Sequence, residues 1–290
     1  MASPGAGPGA LRRFAHNRLA LAGAALVALL ALAALAGPLV VPAQADQQFP
    51  GEELSAPSWA HPLGTNQLGF DVLARLLAGG RASLLVALAA TGLALAIALA
   101  VGLAAGYAGG WADAALMRLT DTFCAFPGIL LAMVLVAVAG RPSLWLVFAA
   151  LGATGWTGLA RLVRAQVLVV RGAEYVEAAR VLGLSPLRIA LRHVLPNCLG
   201  PVAVAATLAV GSNILGEAGL SFLGLGVRDP FPSWGSMLAD SRALFGDCPW
   251  LMLAPGLAIT LAVFGFNLAG DGLRDALDPR AAAGSGAGRP

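Results

Sequence analysis

The chain has 290 residues, 58% of them hydrophobic and 11% charged, with a mean hydropathy of +0.80 and a formal net charge of +3. A soluble domain carries about 25% charged residues, so this surface is too poor in charge to face water throughout, and lipid must cover much of it. The small net charge gives no footing for nucleic-acid binding, and three scattered cysteines (Cys124, Cys198 and Cys248) with no CxxC pair argue against a disulfide framework or a zinc site.

Apolar runs long enough to cross a bilayer, which takes about 20 residues, recur along the chain. Residues 19–41 form the first and 83–107 the second. Residues 123–139, opening around Pro127, and 144–160 form the third and fourth, and 199–216 and 251–270 the fifth and sixth. This predicts an all-α membrane protein of about six transmembrane helices. Its parts are an N-terminal segment 1–18, a first span 19–41, an external segment 42–82, a membrane domain 83–275 with a loop at 161–197, and a low-complexity, disordered tail 276–290. Arg12, Arg13 and Arg18 before the first run, with Ala43-Gln44-Ala45 after it, also fit a secretory signal and its cleavage site. The run is longer than a usual signal core of about 7–15 residues, so it is read as a span.

All 18 basic residues are Arg, and their placement orients the spans. With the N-terminus inside, the cytoplasmic side holds Arg12, Arg13, Arg18, Arg118, Arg161, Arg164, Arg171, Arg180, Arg188, Arg192, Arg274, Arg280 and Arg289. The outside holds Arg75, Arg81, Arg141, Arg228 and Arg242. That is 13 against 5, whereas the 15 acidic residues split 7 inside and 8 outside. A bias confined to the basic residues is the positive-inside pattern, and both termini are predicted to be cytoplasmic.

Several chemistries are excluded by what is missing. Without Lys there is no GxxxxGK[ST] loop to hold nucleotide phosphates, so the chain is not itself a P-loop ATPase. His16, His61 and His193 are far apart and no HExxH occurs. Gly219-Leu220-Ser221-Phe222-Leu223 opens like a nucleophile elbow but lacks the closing Gly, leaving Ser221 an ordinary loop or packing residue. The six apolar runs contain no ionisable residue, which disfavours a proton-driven pump. No Ser or Asp pair within them suggests an intramembrane hydrolase.

The loop at 161–197 carries six Arg and two Glu. Residues 174–182 read as a short helix with Glu174, Glu177 and Arg180 on one face and the two Glu in its early turns, where the helix dipole favours negative charge. Gly183 supplies a stop. Ser185 and Pro186 then open a second short helix, which Pro196 ends. Such an elbow fits either an amphipathic connector on anionic lipid or a protrusion docking into a partner, with Ala178 and Ala179 permitting close approach.

Glu177-Ala178-Ala179, then Gly183 and Leu195-Pro196, resembles the EAA loop of ABC importer permeases, and His193 before Leu-Pro is similar to the dipeptide/oligopeptide/nickel branch. Further segments resemble the second, C-type permease subunit of that branch. They are His61-Pro62-Leu63-Gly64-Thr65, Asp71-Val72-Leu73, Leu220-Ser221-Phe222-Leu223-Gly224, Pro232-Ser233-Trp234-Gly235 and Gly270-Asp271-Gly272-Leu273-Arg274-Asp275. Two positions depart from the pattern, Asn66 where Asp is usual and Phe70 where Arg is usual. Both fall in the external segment and bear on external contacts.

The resemblance implies a type I importer permease fold in a bacterial inner membrane, forming half of a pore with a homologous second permease. It implies two separate ATP-binding cassette subunits, an external solute-binding protein and no cofactor on this chain. Glu177, Ala178, Ala179, Arg180 and Gly183 would form the ATPase-docking elbow. The stiff, partly apolar loop 217–249, with Phe231 and Trp234, would either meet the binding protein or pack over its own helices. Asp113 and Asp121 around Arg118 read as solvated loop charges. The cargo (dipeptide, oligopeptide, nickel or a related solute) is not encoded in spans built of Ala, Leu, Val and Gly, and a secondary carrier or channel working without an ATPase is the alternative class.

Overall fold

The computed structural model describes residues 8–41, 44–140, 143–226 and 231–277. Twelve α-helices follow one another: α1 (Pro8–His16), α2 (Arg18–Val40), α3 (Val72–Ala108), α4 (Gly110–Cys124), α5 (Gly128–Ala139), α6 (Leu144–Thr154), α7 (Trp156–Arg171), α8 (Glu174–Val181), α9 (Pro186–Ile189), α10 (Leu195–Phe222), α11 (Trp234–Ser241) and α12 (Trp250–Leu277). Among the described residues the β content is two isolated bridges, Gln48 with Phe70 and Thr65 with Asp71.

Four stretches are long and apolar enough to cross a membrane singly: α2, α3, the run Pro186–Phe222 and α12. Two bent pairs, α4 with α5 (81°) and α6 with α7 (41°), bring the total to six when each pair is one span. The six spans read from the sequence are thus present, but four differ in form. The second starts at Val72 rather than residue 83, because Asp71 Oδ1 accepts the Ala74 N–H at 2.8 Å and caps the helix there. The third is broken before Pro127. Alone, α5 has 12 residues, about 18 Å at 1.5 Å per residue, well short of a hydrocarbon core of about 30 Å. The fourth breaks at Gly155. The fifth is not preceded by a separate short helix ended at Pro196. A π-helical turn, Ala190–Val194, joins α9 to α10. The Leu195 N–H reaches back to the Ala190 carbonyl, so the wider turn absorbs the N–H that Pro196 lacks.

Arg81 performs a similar repair in α2. Pro38 removes the N–H that would pair with the Ala34 carbonyl, and Arg81 Nε donates to that carbonyl at 2.9 Å and Nη2 to Leu35 O at 2.5 Å. Helix α2 is therefore built into the bundle, lying on α3 at its outer end and on α12 along its length. Its contact with α12 is close because Ala20, Gly23, Gly265 and Gly272 lack bulk; a Cβ on Gly23 would lie 2.6 Å from the Leu268 Cβ. Asn17 Nδ2 donates to Asp275 Oδ2 at 3.2 Å, placing the start of α2 and the end of α12 on the same side. The tail from residue 278, including Arg280 and Arg289, lies outside the described residues, as do Ala43, Arg141 and Arg228.

Before α3 the segment 44–71 folds into a small cap. His61 is buried between two carboxylates, its Nδ1 2.7 Å from Asp71 Oδ2 and its Nε2 2.9 Å from Glu52 Oε2, with the Phe49 ring edge-on at 4.8 Å. The hydrogen bond to Asp71 is the largest influence and raises the imidazole pKa above its ordinary 6.5; burial opposes it, and Glu52 adds in the same direction. A raised folded-state pKa means that the clasp contributes its full stability below the unfolded pKa and loses it as pH climbs through the folded one. Amide exchange in residues 48–66 is therefore expected to accelerate as pH rises from 6.5 through that higher value, beyond the intrinsic pH trend, and not to do so in His61→Gln. Equal profiles for the two would refute the clasp. Asn66 and Phe70 serve this cap from within. Asn66 Oδ1 accepts the N–H groups of Leu68 and Phe70, and Phe70 is buried with the Arg75 guanidinium 4.6 Å from its ring centroid. Both departures from the family pattern thus have partners inside the segment.

Candidate functional site

The elbow at 174–186 forms as its local chemistry dictates. Helix α8 carries Glu174 and Glu177 in its first turn and Arg180 in its last. At its end the Leu184 N–H bonds the Ala179 carbonyl at 3.2 Å and the Gly183 N–H bonds Arg180 O at 2.9 Å. With Gly183 at φ +76° this is a Schellman stop. Glu177 and Arg180 form an exposed pair at 2.6 Å. The two alanines separate: Ala178 is exposed, whereas Ala179 is buried with Val176, Ile189 and Val194 in the core beneath the elbow. Ala179 thus holds the elbow to the bundle and does not belong to its outer surface. Ser185 makes no side-chain cap bond; Pro186 supplies the first residue of α9.

The outer surface is completed by residues that the sequence reading passed over. Val181 and Leu182 are 87% and 80% exposed, and Leu187 is also exposed. Their position immediately around the Gly183 turn was the available signal, since a turn that presents apolar side chains outward needs something to cover them.

The elbow is anchored on the side where α2 begins and α12 ends. Arg171, the last residue of α7, donates from Nη1 to the carbonyls of Gly106 and Tyr107 at the end of α3, and α3 runs antiparallel to α2. Asp113 and Asp121 lie on helix α4 rather than in a loop, Asp113 largely covered and Asp121 exposed. Arg164 grips Asp113 through Nε and Nη2 at 2.5 and 2.6 Å, and Arg161 Nη2 meets Asp121 at 2.8 Å. Both ion pairs tie α4 to α7 next to the elbow.

A second polar constellation lies at the opposite end. The segment 217–249 does not begin as a loop, because α10 continues through Glu217 to Phe222 and stops at Gly224 (φ +79°). Glu217 is 1% exposed, and buried Arg75 lies in the first turn of α3, so the helices do carry ionisable groups that the apolar runs lacked. Ser83 Oγ donates to Glu217 Oε2 at 2.9 Å and Ser221 Oγ to Oε1 at 2.7 Å. The Trp234 N–H donates to Ser83 Oγ at 3.1 Å, linking the start of α11 to the carboxylate. Trp234 is 3% exposed and its indole N–H bonds the Leu76 carbonyl at 3.0 Å. Its side chain is therefore a packing element and not an exposed external contact, whereas Phe231 is exposed. Ser221 spends its hydroxyl on Glu217, which is a structural use.

The described residues thus form an all-helical bundle with broken spans, an exposed elbow on the end where α2 begins and α12 stops, and a polar lock at the other end. The sequence pattern of the binding-protein-dependent transport system inner membrane component matches residues 92–283, and that of the N-terminal TM domain of oligopeptide transport permease C matches residues 9–57. The chain belongs to this family: it is a multi-pass inner-membrane permease subunit of an ABC importer, in which ATP is bound and hydrolysed by other subunits.

Among individual proteins, it is 43% identical to the oligopeptide transport system permease protein OppC of Escherichia coli K12 over 273 residues, covering 93% of this chain and 90% of that one. It is 42% identical to the dipeptide transport system permease protein DppC of Alkalihalophilus pseudofirmus (93% and 89%) and 42% identical to the di/tripeptide transport system permease protein DppC of Pseudomonas aeruginosa (92% and 90%). In fold it is similar to a chain of the inward-facing MetNI methionine ABC transporter, with a TM-score of 0.55 at 21% identity, covering 70% of this chain and 96% of that one.

Proposed function

We propose that this subunit imports di- or oligopeptides as half of a two-permease pore, with both termini cytoplasmic. Two ATP-binding cassette subunits dock on the α8 elbow, and an external solute-binding protein delivers cargo at the Glu217 end. The observation that carries the reading is the elbow itself, a short rigid helix with a left-handed Gly stop that exposes Val181, Leu182 and Leu187 beside the Glu177–Arg180 pair. Apolar side chains ringed by charge on a helix–turn are suited to a protein groove. The arginine bias supports a cytoplasmic position for this face, and the relatives' names support a peptide cargo. Closure of the ATPase dimer would move the elbow and bias the pore between inward-open and outward-open states.

The test uses the reconstituted transporter. Glu177→Lys reverses the charge facing the partner. Gly183→Leu places a side chain in a left-handed turn at a local cost of about 1–2 kcal/mol. Either substitution is expected to abolish ATPase association or to leave ATP hydrolysis running without peptide uptake, while membrane insertion persists. Unchanged assembly and uptake in both would refute the docking role. Uptake by this subunit alone in liposomes without ATP would favour the autonomous carrier.

A further inference from the structure

Both helix breaks open onto one cavity. It measures about 330 Å³ and lies between the start of α5 (Gly128, Ile129), the α6–α7 break (Thr154, Gly155) and the outer half of α10 (Ser212, Asn213, Gly216). Interrupted backbone at membrane depth persists only where protein buries it or where it lines a water-filled space. Gly155 is exposed, and so are the break residues Ala125–Pro127 between α4 and α5. Pro127 gives the leading N–H groups of α5 no side-chain cap, so the cavity's occupant must meet their demand for acceptors.

The lining is mostly apolar, with Ile129, Leu151 and Leu215, and its polar groups are the uncharged side chains of Thr154, Ser212 and Asn213. Asn213 Nδ2 donates to Thr91 Oγ1 at 2.9 Å, which fixes the amide, while Asn213 Oδ1 and the second Nδ2 hydrogen have no protein partner among the described residues. Thr154 donates to carbonyls of its own helix and keeps its lone pairs, and the Ser212 hydroxyl holds its own helix only weakly, at 3.5 Å from Leu208 O. Of the three glycines here, Gly128 has open space at its missing Cβ, whereas Gly155 and Gly216 pack against Leu151. A wall that offers neutral donors and acceptors and no fixed charge suits a ligand recognised by its main-chain amides whatever its side chains.

We infer that this cavity is the wet wall of the translocation pathway on this subunit, where Thr154, Ser212 and Asn213 hydrogen-bond the main-chain amides of a passing peptide. The assignment rests on the peptide-import reading and adds to it the place of contact.

The complete transporter, with second permease, ATPases and binding protein, is reconstituted with Cys124→Ser, since Cys124 is exposed and Cys198 and Cys248 are buried. Import of trialanine by this background is measured first, and its failure overturns the peptide reading by itself. A thiol is then introduced as Ser212→Cys, with Leu257→Cys on the exposed face of α12 as control. A membrane-impermeant methanethiosulfonate ammonium reagent, added during turnover, is expected to react at least about tenfold faster with the Ser212→Cys thiol, since thiolate chemistry needs water, and to stop trialanine import. Excess trialanine and binding protein should slow that reaction. The Leu257→Cys transporter should keep importing. Equal reaction rates at the two positions, or full modification of Ser212→Cys with import intact, would overturn the cavity assignment while leaving the peptide reading in place.

Discussion

Glu217→Leu is expected to lower the thermal midpoint of the detergent-solubilised subunit by about 5 °C or more and to abolish binding-protein-stimulated transport. The reason lies in the connectivity of the outer lock. Ser83 and Ser221 both donate to this carboxylate, and Ser83 accepts the Trp234 N–H, so one side chain joins α3, α10 and α11. Leu matches the volume but accepts no hydrogen bond, and two hydroxyls fully enclosed by protein then lose their acceptor. Hydrogen bonds to charged groups are worth about 1.5–3 kcal/mol each, and a stranded buried group costs about 1–3 kcal/mol. Even one such loss shifts the midpoint of a chain this size by several degrees. The buried thiols of Cys198 and Cys248, read with a thiol-reactive dye in Cys124→Ser, report the transition. Glu217→Gln separates charge from hydrogen bonding, because serine hydroxyls can turn to accept from the amide. If Gln restores stability but not transport, the charge itself is used when α11 moves. If Leu is as stable and as active as the parent, the lock has no role.

That lock marks where sequence reasoning ran out. The α8 elbow was legible because everything that shapes it is local: acidic residues in the first turn, Arg in the last, and a Gly that alone fits φ +76° without strain. The course of α10 was not, because its start rests on an irregular π turn and its end on a partner distant in sequence. At its start Pro196 reads as a stop, yet the π turn removes its conflict, and Asn197 Nδ2 donates to the His193 carbonyl at 2.7 Å. At its far end Glu217 reads as the start of a water-exposed loop, because hydropathy cannot see that Ser83, 134 positions away, will pair with it. Gly224 did hold the right signal for the end of that helix, since it plays for α10 the part that Gly183 plays for α8. Trp234 was visible as a notable residue but not its direction: the same aromatic serves an interface or a core, and only the Leu76 carbonyl and the close approach of Gly235 to Ala218 decide for the core. Asp113 and Asp121 were visible as charges but not as ion pairs, because their Arg partners sit 51 and 40 residues downstream.

Helix contact in the membrane makes the remaining large prediction. Lipid is as apolar as Leu, so α3 and α7 gain little from hydrophobicity alone and depend on close packing. The approach is set by Gly102 and Gly106, one helical turn apart on α3. A Cβ on Gly102 would sit 2.6 Å from the Ala160 carbonyl oxygen and 2.7 Å from the Val163 Cβ, and one on Gly106 2.8 Å from the Val167 Cβ. Backbone oxygen and a branched Cβ cannot swing aside, so the helices must part. Overpacking of this kind costs about 1–3 kcal/mol, occasionally more, and here it would also pull Arg171 from the carbonyls at the end of α3 and Arg164 from Asp113. Gly102→Leu is thus expected to destabilise the subunit by about 3 kcal/mol and to disturb the elbow more than 70 residues away in sequence. Gly92, in the same helix, has nothing within 4 Å of its missing Cβ, and Gly92→Ala is expected to be neutral or to stabilise by up to about 1 kcal/mol through helix propensity alone. Opposite signs for these two substitutions in the same thiol-dye melt are the result expected if small residues set the α3–α7 distance, and equal effects would mean that the contact is slack.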